Sequence, residues 1–93
     1  MADGEVQPMV RINPQMPRKA AMKGIEGFVT VEFTVTKSGS TSNIKIVEAK
    51  PPRIFNRAAK RAILKWKYKP QVVDGKPVEI KQLVRLDFKL EDE

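Results

Sequence analysis

The sequence predicts an α+β domain: a three-stranded antiparallel sheet with two helices packed on one face, in the order α-β-β-α-β. Three stretches predict it. From Ile54 to Pro70, the apolar residues Ile54, Phe55, Ala58, Ala59, Ala62, Ile63 and Trp66 recur at the spacing of a helix that hides one side. Gly27 to Thr36 alternates apolar and polar residues with the period of a strand. Val78 to Leu90 alternates in the same way for thirteen residues.

Taken in order, Met1 to Glu5 is polar and expected to fray. Val6 to Ile12 is short and interrupted by Pro8, which suits extended chain at an edge. Residues 1–12 therefore read as a flexible or extended lead-in, and 13–93 as the domain. Asn13 to Pro17 is a rigid connector. Pro17 can open a short helix through Lys23, with Gly24 free to take the left-handed conformation that ends it.

In Gly27 to Thr36, Val29, Val31, Phe33 and Val35 share one face; Phe28, Thr30, Glu32 and Thr34 share the other. Lys37 to Ser40 is a turn with glycine where a positive φ is cheapest, and Ser42 to Ala49 follows as the second strand of a hairpin. Pro51 and Pro52 can open the long helix, whose first N–H groups have no internal partner. Pro70 cannot continue it. Val73 to Pro77 is a second turn. In the last strand Val78, Ile80, Val84, Leu86, Phe88 and Leu90 share a face broken only by Gln82, and Glu91 to Glu93 stop it. A right-handed crossover through the long helix puts the strands in the order second, first, third; the order first, second, third stays open, and the last strand lies at an edge in either. The expected core includes Val31, Phe33, Phe55, Ala59, Ile63 and Trp66.

The 93 residues suit one small domain, and 41% hydrophobic content supports a single thin core. The chain contains no cysteine and no histidine. Disulfides, thiolate ligands and every nucleophile–histidine pairing are thereby excluded. Glu32 or Glu48 could serve as a base, but no second convergent group accompanies either, so the expectation is no enzyme, no metal and no cofactor. No apolar run approaches the roughly 18 residues of a membrane span, and no signal peptide is visible, so the sequence reads as soluble. The start on Met-Ala-Asp-Gly is that expected of a domain excised from a longer protein. Net charge is +7, and eight of the eighteen basic residues lie between Lys50 and Lys69 without an acidic residue. That segment reads first as a solvated helix face.

Several residues now on the page resemble the C-terminal domain of the TonB family. Pro14-Gln15-Met16-Pro17 stands where the family usually carries Pro-x-Tyr-Pro. Ala20-Ala21 and Gly24-Ile25-Glu26-Gly27 follow, then the alternation Phe28 to Phe33. Phe55-Asn56-Arg57-Ala58-Ala59 and Trp66-Lys67-Tyr68-Lys69-Pro70 are the strongest pieces. The resemblance runs from Val10 to Leu90. It departs at Met16, which replaces a tyrosine, at Ser38-Gly39 in place of Asp-Gly, and at Asn56 in place of a common aspartate.

The resemblance implies the periplasmic end of a protein anchored in the inner membrane of a Gram-negative bacterium. Such a domain binds the TonB box, a short extended peptide of outer-membrane transporters for siderophores, haem or cobalamin. It passes on work from the ExbB–ExbD motor, reached through an N-terminal region that this chain lacks. The docking edge implied is Arg85, Leu86, Asp87, Phe88, Lys89 and Leu90, with Arg11, Asn13, Pro14 and Gln15 of the connector contributing. An edge strand with free backbone groups could accept the peptide as an added strand. The alternatives are a TolA-like or peptidoglycan-binding module, with peptidoglycan also a possible partner. A basic nucleic-acid module ranks below these because it lacks an RNP-type motif and clustered exposed aromatics. A long alternating edge also admits either a monomer or a strand-exchanged homodimer.

Overall fold

The computed structural model describes residues 8–90. Nine elements follow one another: β1 (Pro8–Val10), α1 (Arg18–Lys23), β2 (Gly27–Val35), β3 (Thr41–Lys50), α2 (Asn56–Leu64), β4 (Lys67–Tyr68), β5 (Gln71–Val73), β6 (Lys76–Val78) and β7 (Ile80–Phe88). The main sheet is antiparallel with the order β3-β2-β7. In sequence terms that is second, first, third, with β7 at an edge.

The register of β2 on β7 runs without a break from Gly27 opposite Phe88 to Val35 opposite Ile80. Because side chains alternate, this register sets Val29 beside Leu86 and Val31 beside Val84 on the same face. The β2–β3 register slips twice, between Thr30 and Val31 and between Glu32 and Thr34. At the first slip Val47 is the extra residue, which leaves it exposed while Ile46 still packs on the core.

The core collects Val29, Val31, Phe33 and Val35 from β2, Ala20 from α1, and Phe55, Ala59 and Ile63 around α2. Trp66, Tyr68, Ile80, Leu86 and Phe88 complete it. Besides Ala59, seven larger side chains among these, led by Trp66, Phe33 and Phe55, are less than 2% exposed. Burying each such side chain stabilises the fold by about 1.5–3 kcal/mol. Phe55 stacks on Phe88 at 4.4 Å, and Phe33 meets Trp66 edge to face at 5.9 Å.

Three expectations need correction. The long helix does not fill 54–70: α2 stops at Leu64, where the Lys65 and Trp66 amides donate to the Ala62 and Ile63 carbonyls in a tightened last turn. Trp66 is therefore buried from beyond the helix. Pro51 and Pro52 do not open α2 either. They lie in the turn before it, Arg53 follows with φ +70°, and Phe55 is the cap residue, placed where its ring reaches Phe88.

The last strand is also shorter than the alternation from Val78 to Leu90. Asp74 and Gly75 both take positive φ, the two-residue turn that suits a hairpin, and Lys76–Val78 folds back on Gln71–Val73. Glu79 interrupts the run, and Lys89 and Leu90 lie past the strand's end. One further ladder had no counterpart among the expected elements: β1 pairs antiparallel with β4. The readings for Met1 to Glu5 and for Glu91 to Glu93 lie outside the described residues.

Candidate functional site

β7 hydrogen-bonds to β2 along one flank, and no strand covers its other flank among the described residues. Along an antiparallel edge, alternate residues turn their N–H and C=O groups away from the partner, so β7 offers about four such sets to an incoming chain. Its side chains divide sharply. Leu86 and Phe88 are buried, at 5% and 3% exposure, and so can meet a visitor only through their backbone. Arg85, Asp87 and Lys89 are exposed.

Arg85 is held in place from two directions. Its guanidinium lies 3.9 Å from the Phe28 ring centroid, and its Nε donates to Asp87 Oδ1 at 3.0 Å. Phe28 sits opposite Asp87 on β2, so all three occupy the face away from the core. An exposed ion pair of this kind contributes at most about 1 kcal/mol, and its effect is mainly to fix the outer face of the edge. Leu90, placed in the docking set by sequence, has its amide already donating to a Glu26 carboxylate oxygen at 2.6 Å. Its backbone donor is engaged within the chain.

The connector is pinned to the core by Trp66. The indole Nε1 donates to the Ile12 carbonyl at 2.8 Å, and the Arg11 guanidinium lies 4.5 Å from the centroid of the Trp66 ring. A buried indole needs a partner for its N–H, and this one finds it 54 residues away. Beside it, burial pushes the Tyr68 hydroxyl above its ordinary pKa of 10.0, and the Arg11 charge partly offsets this. Met16, in the place of the usual tyrosine, packs against the core cluster.

Asn13 and Gln15 are exposed and Pro14 is half-buried. All three line a groove that the connector forms with α2, and none of Arg85 to Leu90 lines it. The residues expected to act together thus occupy two surfaces. Sequence reasoning missed the Trp66–Ile12 bond and the Glu26–Leu90 bond. The donor of a buried tryptophan was a usable signal for the first; nothing local signalled the second.

The comparisons with known proteins agree with this architecture. The family model described as "Gram-negative bacterial TonB protein C-terminal" matches residues 12–90. Protein TonB of Pseudomonas aeruginosa is 37% identical over 89 residues, which cover 96% of this chain and 26% of that protein. Protein TonB of Escherichia coli is 43% identical over 67 residues, covering 72% of this chain and 26% of that protein. The chain thus spans about a quarter of the length of these relatives. The solution structure of the Pseudomonas aeruginosa TonB C-terminal domain superposes with a TM-score of 0.83 at 35% identity, covering 100% of this chain and 94% of that one. The TonB2 protein of Vibrio anguillarum gives 0.71 at 41% identity, covering 99% and 88%. On the match from residue 12 to residue 90 and on these relatives, the chain belongs to the Gram-negative bacterial TonB C-terminal family.

Proposed function

We propose that this chain is the partner-binding end of a TonB-type energy transducer, and that it takes the TonB box of an outer-membrane transporter as an added strand on the free flank of β7. The observation that supports this is the open flank itself, held rigid by the stacking of Phe55 on Phe88 and of Arg85 on Phe28. Backbone pairing is largely indifferent to the guest's side chains, which suits one transducer serving many transporters. About eight hydrogen bonds from four such sets, at roughly 0.5–1.5 kcal/mol each, give about 4–12 kcal/mol, and with an ordering cost of about 2–5 kcal/mol the middle of that range lies below the roughly 8 kcal/mol of micromolar affinity. The remainder falls to the exposed Arg85, Asp87 and Lys89, with Arg11, Asn13, Pro14 and Gln15 recruited if the guest extends toward the connector.

In this reading the domain works in the periplasm, tied through an upstream region to the inner membrane and the ExbB–ExbD motor. It transmits pull and catalyses nothing. Paired strands resist pulling along their axis because several bonds must shear together. Siderophores, haem or cobalamin are the cargo of the transporters rather than ligands of this domain.

Titrating the isotope-labelled chain with a TonB-box peptide tests the reading. Backbone amides between Arg85 and Phe88 should shift together and saturate, and a peptide N-methylated at alternate residues should bind about two- to tenfold more weakly for each hydrogen bond lost. A titration that leaves β7 silent would overturn the proposal.

A further inference from the structure

The groove between the connector and α2 encloses about 650 Å³. Arg53, Arg57, Arg61 and Lys65 line it at four-residue intervals, joined by Arg18 from the start of α1. The lining includes no acidic residue, and the described residues contain only one ion pair, Arg85 with Asp87. These five cations are exposed and carry no carboxylate partner among the described residues. Ile54, Ala58 and Ala62 run beside the cations as an apolar floor, and Pro14, Met16 and Pro17 form the facing wall.

Two further facts bear on what would lie there. Arg53 holds φ +70°, a left-handed conformation that glycine would occupy without strain. The turn thus carries one of the groove's lining arginines in a conformation that costs free energy for a residue with a Cβ. Along α2 the rise between Arg57 and Arg61 is about 6 Å. In an extended chain, side chains on the same side recur about every 6.6 Å. Arg57 and Arg61 on α2, continued by Lys65 at its C-cap, therefore match in spacing an extended peptide with a carboxylate at every second residue, while Arg53 adds a further cation from the turn before the helix.

We infer that this groove is a second peptide-binding surface, separate from the β7 edge, which takes an extended acidic segment of a partner protein with Asp or Glu at alternate positions. Charge complementarity supplies the attraction, and the matched spacing supplies the selectivity. With its carboxylates turned to the cations of α2, the alternating guest turns its intervening small side chains the other way, toward the connector residues Pro14, Met16 and Pro17. Among the described residues no aromatic ring lines the groove, so nothing there would stack nucleic-acid bases.

The probe is a peptide of about ten residues alternating Glu and Ser, compared with its block isomer of the same composition, all Glu followed by all Ser. Binding is read on the full chain by amide shifts. The alternating peptide should bind at least about fivefold tighter than the block isomer, with shifts on residues 12–18 and 53–65. Arg57→Gln with Arg61→Gln should weaken it at least about tenfold, while Lys60→Gln, exposed but outside the groove, leaves it unchanged. An unaltered unfolding midpoint shows that the double variant still folds. Equal binding of the two isomers, shifts confined to 80–88, or tighter binding of a single-stranded oligonucleotide of equal charge would each overturn the inference. Because the site is read by its own shifts, failure here leaves the β7 proposal standing, and the reverse holds.

Discussion

Trp66 joins the core to the connector, and its two contributions can be separated by substitution. Trp66→Ala removes a fully buried ring and should cost about 3–5 kcal/mol, enough to unfold a small domain. Trp66→Phe keeps an aromatic ring against Phe33 but loses the hydrogen bond to the Ile12 carbonyl, at about 0.5–1.5 kcal/mol beyond the loss of ring size. The Phe variant should therefore stay folded while amide exchange rises between Ile12 and Gln15. Unchanged exchange there would mean that the β1–β4 ladder alone holds the connector. Tyr68 gives a residue-scale prediction in pH. Its folded pKa lies above 10.0, so its contribution to stability is complete below 10.0 and is lost as pH rises through the folded value. Denaturation midpoints at pH about 8 and about 11 should diverge less for Tyr68→Phe than for the parent chain. Equal falls in the two proteins would show that Tyr68 does not carry the alkaline loss.

At the scale of elements, the β2–β3 turn is tied to β4 by the Tyr68 amide, which donates to the Gly39 carbonyl at 2.8 Å. Gly39 has φ +92°, and a Cβ there would run into the Tyr68 carbonyl. Gly39→Ala should therefore cost about 2 kcal/mol or more, lowering the thermal midpoint by roughly 10 °C, with no change at the β7 edge. A midpoint within about 2 °C of the parent would show that the turn can move away from Tyr68. The strands β2 and β7 were legible because their alternation is clean and one face is buried. The end of α2 was not, because Trp66 follows Ile63 at a helical interval and is buried whether or not the helix reaches it. Periodicity reports which residues are covered, and here the extended β4 and the helix would both have covered Trp66 and Tyr68. The β1–β4 ladder is also invisible locally, since it joins two very short pieces more than fifty residues apart.

The molecule as a whole is 51 Å long and 17 Å thick, with the three-stranded sheet as its frame. The edge position of its last strand was readable from sequence, because it holds in either order left open there; the structure has second, first, third, the order that a right-handed crossover through α2 favours. The cationic ladder was half legible: the concentration of charge from Lys50 to Lys69 stood out, but it read as a solvated face. Only the connector lying opposite α2 turns part of that face into a groove, and the connector is held there by the β1–β4 ladder, the Trp66 indole and the packing of Met16. The Arg85-to-Phe88 edge was located by family resemblance and by pattern together, whereas its split into buried and outward side chains needed the register with β2.

The pin at Ile12 also decides how the domain would meet a load arriving from ahead of Pro8. Such a tug first peels the short ladder on β4, next strains the indole's hold, and reaches the sheet last. From Pro8 to Ile12 the chain is thus cleated like a rope at two points, both of which would yield before the sheet that carries the free flank of β7.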